Sequence, residues 1–366
     1  MSATRLVRLC AVALPLVACG GGSGGGASPT HNPIPQHIAY VANTGDNTVS
    51  AYAIDPTTGS LSPLRGSPFK IGSGVIGIAI APGRNFAYVT VAGGLSAYSI
   101  DPSTGDLHLV ASSPFPTGVG AGPPIVDPTG RFVYTMNGTS NNVSAFSIDA
   151  MSGSLTTVPG SPFSTGQGPS AAGFDPSGGY LYVVTAYDIL GYSIDPTTGA
   201  LNSLATNPFA LQGGQSIAID PSGRYALVAV YNPMQAMLIE SIDSTHSMAQ
   251  AGTTPAIGAI GSTFARDGRF FYAALLPTLA NPLGPGYVQA YSFNATTGQY
   301  SMIQQLGSAG APCCIAIDPT GRFLYVANDA TSNISAYSID TATGVLAPVP
   351  GSPFASGMTP QSMAIR

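Results

Sequence analysis

One short segment recurs along the whole chain at nearly constant spacing, and this repeat restricts the fold more than any other feature. The segment is Ser-Ile-Asp or a close variant, and its last residue returns after 46, 48, 46, 48, 51 and 46 residues. Those positions are Asp55, Asp101, Asp149, Asp195, Asp243, Asn294 and Asp340. A second series keeps step with it: Tyr40, Tyr88, Tyr134, Tyr182, Leu227, Tyr272 and Tyr325. A period in the forties, with about four strands of sequence per unit, is typical of a β-propeller blade. Seven copies predict seven blades.

The last full repeat shows how one blade is built. Its four predicted strands, from the inner to the outer edge, are 315–317, 323–327, 334–339 and 346–349. The turn Asp318-Pro319-Thr320-Gly321 joins the first two, because Asp caps the backbone, Pro presets φ and Gly tolerates positive φ. The strands are apolar on both faces, as expected for sheets packed between two others. The sequence therefore predicts an all-β protein with four-stranded blades.

The two ends of the repeat region predict how the ring closes. The region starts with a second strand, Ile38 to Ala42, and has no first strand before it. The last residues, Pro360 to Arg366, match the first-strand segment Pro312 to Asp318. We therefore expect the C-terminal segment to complete blade 1 beside Tyr40, which removes an exposed sheet edge.

The N-terminal residues are typical of a secretion signal followed by a tether. Arg5 and Arg8 precede a short apolar run that ends at Cys19, and residues 20–36 are rich in Gly, Ser and Pro. The run is too short to span a bilayer. Leu16 to Cys19 resembles a bacterial lipobox, in which the Cys is lipidated; an ordinary signal peptide with an incidental Cys is the alternative. We predict a signal peptide over 1–19, a tether over 20–36, and a propeller over 37–366 held outside the cytoplasm on the bacterial membrane.

Charge excludes one class of partner. Only 7% of residues are charged, with Glu240 the sole glutamate and Lys70 the sole lysine, and the net charge is −5. A chain without a basic cluster is not expected to bind nucleic acid. After removal of the signal and lipidation of Cys19, Cys313 and Cys314 would be the remaining cysteines, so disulfides are not expected to stabilise the fold.

Recurring strand motifs connect the chain to a known family. Tyr-Val-Ala-Asn occurs at 40–43 and 325–328, followed by Asn-x-Val/Ile-Ser-Ala-Tyr and then Thr-Gly-x-Leu. This pattern resembles the lactonase family of seven-bladed propellers, which includes 6-phosphogluconolactonase-like and cycloisomerase-like proteins, over residues 37–366. The resemblance implies hydrolysis of a small-molecule lactone ring ester.

Few titratable residues fall on the propeller face where ligands usually bind, which carries the loops between second and third strands. Asp46 and Asp329 occupy the same loop of blades that become neighbours on closure, and Lys70 leaves blade 1. Two carboxylates and an amine suit a base with an oxyanion or metal site; the alternative is that each caps its own loop. No metal motif supports Ca²⁺ or Mg²⁺, so no cofactor is predicted.

Neutral groups complete the candidate site. Predicted binding residues are the loop amides and the polar side chains at the start of inner strands: Asn43, Asn137, Asn328, Ser170, Gln215, Cys313 and Gln361. Cys313 and Cys314 are expected to be two free thiols pointing to opposite faces of a strand, with a strained vicinal disulfide as the alternative. Glu240 interrupts a series of aromatic residues between blades, where burial should raise its pKa.

Two functions remain open from the sequence. One is a lactone hydrolase, as the family resemblance implies. The other is a non-catalytic envelope module that binds carbohydrate or protein, and the scarcity of titratable groups favours it. In either case a monomer is expected, and the insertion at 276–287 would overhang the channel or act as a spacer.

Overall fold

The computed structural model describes one β-rich unit in the residues that follow the N-terminal segment. Its described residues are 37–206, 208–230, 237–254, 258–276 and 286–366. The predicted signal peptide 1–19 with Cys19 and the tether 20–36 lie outside these residues, as does most of the 276–287 insertion. Among the described residues, no helix has the length and apolar character needed to cross a membrane.

Seven antiparallel sheets form the seven predicted blades. Each blade has one inner strand, which lies nearest the central channel. The inner strands of blades 1 to 7 are Pro360–Ile365, Gly77–Ile80, Ala121–Val126, Ala171–Phe174, Gly214–Ile219, Ala259–Phe264 and Pro312–Ile317. The second strands are Ile38–Asn43, Phe86–Val91, Phe132–Asn137, Tyr180–Val184, Tyr225–Val230, Phe270–Leu275 and Phe323–Asn328. These second strands are almost wholly buried, since both of their faces pack on neighbouring blades.

The third and outer strands complete each blade. The third strands are Thr48–Ile54, Gly94–Ile100, Asn142–Ile148, Asp188–Ile194, Met237–Ile242, Tyr287–Phe293 and Asn333–Ile339. The outer strands are Leu61–Pro63, Leu107–Leu109, Leu155–Thr157, Leu201–Ser203, Met248–Thr254, Tyr300–Gly307 and Leu346–Pro348. Four blades also gain a two-residue strand that pairs with the third: Phe69–Lys70, Phe163–Ser164, Phe209–Ala210 and Phe354–Ala355.

The ring closes as predicted. The C-terminal strand Pro360–Ile365 pairs antiparallel with Ile38–Asn43, with Tyr40 opposite Ala364. The backbone of Ile38 also exchanges two hydrogen bonds with Arg366, at 3.0 and 3.2 Å. Blade 1 is therefore built from both ends of the described chain, which confirms the seven-bladed closed propeller.

The turns between inner and second strands begin with an aspartate in blades 3, 4, 5 and 7: Asp127, Asp175, Asp220 and Asp318. In blade 7, the carboxylate of Asp318 accepts hydrogen bonds from the backbone N–H groups of Thr320, Arg322 and Phe323. Asp318 is 2% exposed. These turn carboxylates thus serve the fold, at the face opposite the loops between second and third strands.

Candidate functional site

A cavity of about 290 Å³ lies where the inner strands begin, at the loop face of the central channel. Blades 4, 5, 6, 7 and 1 supply most of its wall, through the first residues of their inner strands. Its polar lining residues are Ser170, Gln215, Ser216, Ser262, Cys313, Cys314, Gln361 and Ser362. The apolar ones include Ile217, Ile260, Met136 and Met363. Of the described residues that form this wall, none carries a charge.

The four inner-strand residues predicted to bind a ligand meet in this cavity. Ser170, Gln215, Cys313 and Gln361 hold the same position in blades 4, 5, 7 and 1, and all of them line it. Equivalent positions in a ring of blades converge on one axis, so repeat alignment alone was sufficient to group them.

Register breaks interrupt four of the inner strands at the level of the cavity. In blade 7, Pro312 pairs with Asn328 and Cys314 pairs with Ala327, so Cys313 is an extra residue in the strand. The same break leaves Gln215, Ile260 and Gln361 as extra residues in blades 5, 6 and 1. A β-bulge re-aims side chains and interrupts the two-residue alternation of a strand.

The bulge corrects one expectation about the cysteines. The side chains of Cys313 and Cys314 do not point to opposite faces of the strand, because the bulge at Cys313 leaves the two sulfur atoms close together, and both residues line the cavity. Both are free and half-buried, and their Sγ atoms lie 3.8 Å apart. A hydrogen bond with Cys314, burial and the charge of Asp329 raise the pKa of Cys313, so this thiol is protonated at neutral pH.

Several polar groups of the wall hold neighbouring blades together. The Ser170 hydroxyl donates to the Gly214 carbonyl at 3.0 Å, and the Cys313 thiol donates to the Pro360 carbonyl at 2.6 Å. Ser362 Oγ accepts from the N–H of Ile78 at 3.2 Å. These residues therefore both line the cavity and bond neighbouring blades to each other.

The hydroxyls of two other lining residues form no such hydrogen bond. Ser216 Oγ and Ser262 Oγ are shielded from solvent and have no hydrogen-bond partner in the protein. Buried polar groups are nearly always paired, so these two hydroxyls are exceptions among the residues that line the cavity. Ser262 was missed by sequence reasoning because it lies one residue after the aligned polar position. Blade 6 has Gly261 at that position, whereas the other blades of the polar wall have a serine, cysteine or alanine there.

Asp329 lies beside the cavity, next to two of its lining residues. Its Oδ2 accepts a hydrogen bond from Gln361 Nε2 at 2.9 Å, whereas its Oδ1 is buried without a partner. Burial raises the pKa of Asp329, and the bond from Gln361 opposes part of that rise. A carboxylate whose pKa is raised and that lies beside a cavity is a candidate general base.

No hydrogen bond or ion pair among the described residues links Asp46 or Lys70 to Asp329. The carboxylate of Asp46 accepts from the Thr48 hydroxyl at 2.7 Å and from the Met358 N–H at 3.0 Å, so it caps the connection that closes the ring. Lys70 is exposed, and within the described ranges it forms no ion pair. The expected cluster of two carboxylates and an amine is thus not assembled by these contacts.

The predicted amides are placed away from the cavity. Asn43, Asn137 and Asn328 are 0% exposed. Each donates from Nδ2, at 2.9 Å, to the serine hydroxyl seven residues later in the third strand. They brace the hairpin between second and third strands. In the part of the chain that the structure describes, no group of three or more His, Cys, Asp or Glu side chains is arranged to hold a metal ion.

Comparison with known proteins agrees with this architecture. The family "Lactonase, 7-bladed beta-propeller" matches residues 29–165 and 239–359, more than half of the chain. The sequence matches none of the curated proteins.

Solved structures share the fold at low identity. A "putative 6-phosphogluconolactonase" from Bacteroides uniformis is 18% identical, with a TM-score of 0.73 over 91% of this chain and 100% of that one. Another from Bacteroides fragilis is 18% identical, with a TM-score of 0.74 over 93% and 99%. A periplasmic gluconolactonase from Pseudomonas aeruginosa is 18% identical, with a TM-score of 0.69 over 90% and 98%. With most of its length matched by the family, the chain belongs to the lactonase family of seven-bladed β-propellers.

Proposed function

We propose that the cavity at the channel mouth binds a small uncharged lactone and that the protein hydrolyses its ring ester. The observation that carries the proposal is a cavity wall of neutral polar residues with the Asp329 carboxylate beside it, bonded to the lining residue Gln361. The polar side chains of the wall supply the donors that a polar ring compound needs, and Asp329 supplies the base.

The chemistry requires one water molecule and one base. Asp329 accepts a proton as water attacks the lactone carbonyl carbon, and the hydroxyl donors of the wall stabilise the oxyanion that forms. The ring C–O bond then breaks, the proton passes from Asp329 to the leaving alkoxide, and the product is the open hydroxy acid. Gln361, bonded to the other carboxylate oxygen at 2.9 Å, orients the base.

The neutral wall favours an unphosphorylated substrate. Phosphate recognition normally uses Arg or several Lys side chains, and none of the described wall residues is cationic.

The N-terminal sequence supports a location outside the cytoplasm. Arg5, Arg8 and the apolar run to Cys19 constitute a secretion signal, and a lipidated Cys19 with the tether 20–36 would hold a monomeric propeller at the bacterial membrane. Metabolic phosphosugars are cytoplasmic compounds, which also favours a plain lactone.

A binding module without catalysis is the second candidate. The same neutral cavity favours it, because the described contacts place only Asp329 beside the wall and give it no acidic or basic partner. A carbohydrate or an envelope protein side chain would then occupy the cavity.

A lactone panel distinguishes the two. Purified protein should hydrolyse plain lactones and leave phosphorylated ones intact, with or without Ca²⁺ and Mg²⁺. Asp329→Asn should lower kcat/KM by about 100-fold or more, while the matched control Asp46→Asn, which alters a loop cap, should retain activity. If calorimetry shows lactone binding without turnover, the protein is a binding module. Equal activity in both variants would exclude Asp329 as the base.

A further inference from the structure

Two thiols stand side by side in the cavity wall. Cys313 and Cys314 are the only cysteines among the described residues, and both are free. Both residues line the cavity beside the bulge at Cys313, and their Sγ atoms lie 3.8 Å apart. The lactone hydrolysis proposed above has no use for such a pair.

Consecutive cysteines are poorly suited to closing a disulfide. Their Cα atoms are about 3.8 Å apart across a trans peptide, which is below the usual disulfide range of about 4.4–6.8 Å. The pair is therefore expected to persist as a dithiol, even in an oxidising compartment.

The spacing of the sulfur atoms suits a shared metal ion. Two sulfur atoms 3.8 Å apart, each about 2.3 Å from one ion, subtend an angle of roughly 110°. That angle lies close to the tetrahedral and trigonal values, so the thiols need little movement to chelate.

A third residue with a sulfur donor lines this cavity. The thioether-bearing residue Met363 lines the same cavity, on the inner strand of the neighbouring blade 1. No group of three His, Cys, Asp or Glu side chains suitable for a metal occurs within the described residues. Zinc normally requires four such ligands, or three and a water, whereas thiolate and thioether donors select Cu(I).

We propose that Cys313 and Cys314 form a chelating site for a soft monovalent metal ion, Cu(I), with Met363 as a thioether donor. On binding, each thiol releases its proton to solvent and forms one sulfur–copper bond, and copper does not change its oxidation state. The ion would occupy part of the cavity wall and so compete with a bound lactone.

Anaerobic titration of the full chain with Cu(I), in competition with the chromogenic chelator bicinchoninate, tests the site. The wild-type chain and the control variant Cys10→Ser/Cys19→Ser should both retain one equivalent against the chelator. Cys313→Ser and Cys314→Ser, singly and together, should each lose it. Retention of that equivalent in Cys313→Ser/Cys314→Ser would overturn the proposal.

A second measurement does not depend on the folding of those variants. X-ray absorption of Cu(I)-loaded Cys10→Ser/Cys19→Ser protein should show sulfur scatterers only. Nitrogen or oxygen as the main scatterer, or preferential retention of Zn²⁺ over Cu(I), would refute the soft-sulfur site. No lactone is present in either experiment, so their outcome is separate from that of the hydrolysis assay.

Discussion

Removing a single hydroxyl group tests how blade 7 and blade 1 are held together where the ring of blades closes. The Tyr325 hydroxyl of blade 7 donates to the Gly59 carbonyl of blade 1 at 2.8 Å, and Tyr325 is 0% exposed. Burial raises the pKa of Tyr325, so the hydroxyl remains a donor at any physiological pH. In Tyr325→Phe the aromatic side chain fills the same space, but the buried Gly59 carbonyl loses its hydrogen-bond donor. An unpaired buried acceptor lowers the free energy of unfolding by about 1–3 kcal/mol.

Urea denaturation followed by tyrosine fluorescence and circular dichroism measures this loss. The matched control is Tyr187→Phe, because Tyr187 is 61% exposed and its hydroxyl has no partner among the described contacts. Surface changes of that kind usually alter stability by less than about 0.5 kcal/mol. If both variants unfold at the same urea concentration, the bond to Gly59 does not stabilise the closed ring and the reasoning is wrong.

Two further predictions concern the closing strand and a buried acid. Deleting Pro360–Arg366 should abolish the cooperative melting transition, because it strips blade 1 of its inner strand and exposes the edge of Ile38–Asn43; an unchanged melting temperature would contradict this. Burial raises the pKa of Glu240, so its contribution to stability is present below about pH 4.5, its ordinary value, and is lost as pH rises through the folded-state pKa. Glu240→Gln should therefore raise the melting temperature relative to wild type near pH 8 and change it little near pH 4. Equal changes in melting temperature at both pH values would show that ionisation of Glu240 does not affect stability.

The repeat made the fold predictable in detail. Strand order, turn positions and ring closure all follow from aligning one blade with the next, since each blade buries the same apolar faces. The two-residue strands such as Phe69–Lys70 were not foreseen, because so short a segment has no periodicity of its own and forms only where it meets the edge of a third strand.

The site was predictable only where it shares the symmetry of the repeat. Ser170 and Gln215 were found because equivalent inner-strand positions converge on the channel. Asp46 and Lys70 were grouped with Asp329 by sequence position, yet the direction of a loop side chain depends on its local partners, here Thr48 and Met358 for Asp46. Sequence spacing carries no information about those partners.

The register breaks explain why the cavity has its chemistry. In a regular strand successive side chains point to opposite faces, so only one of Cys313 and Cys314 would face the channel. The extra residue at the start of the strand breaks this alternation, and two consecutive residues, Cys313 and Cys314, line the cavity, as Gln361 and Ser362 do in blade 1. One member of each pair also bonds to the next blade, Cys313 to Pro360 and Ser362 to Ile78, so the residues at the irregularity both join the blades and line the site.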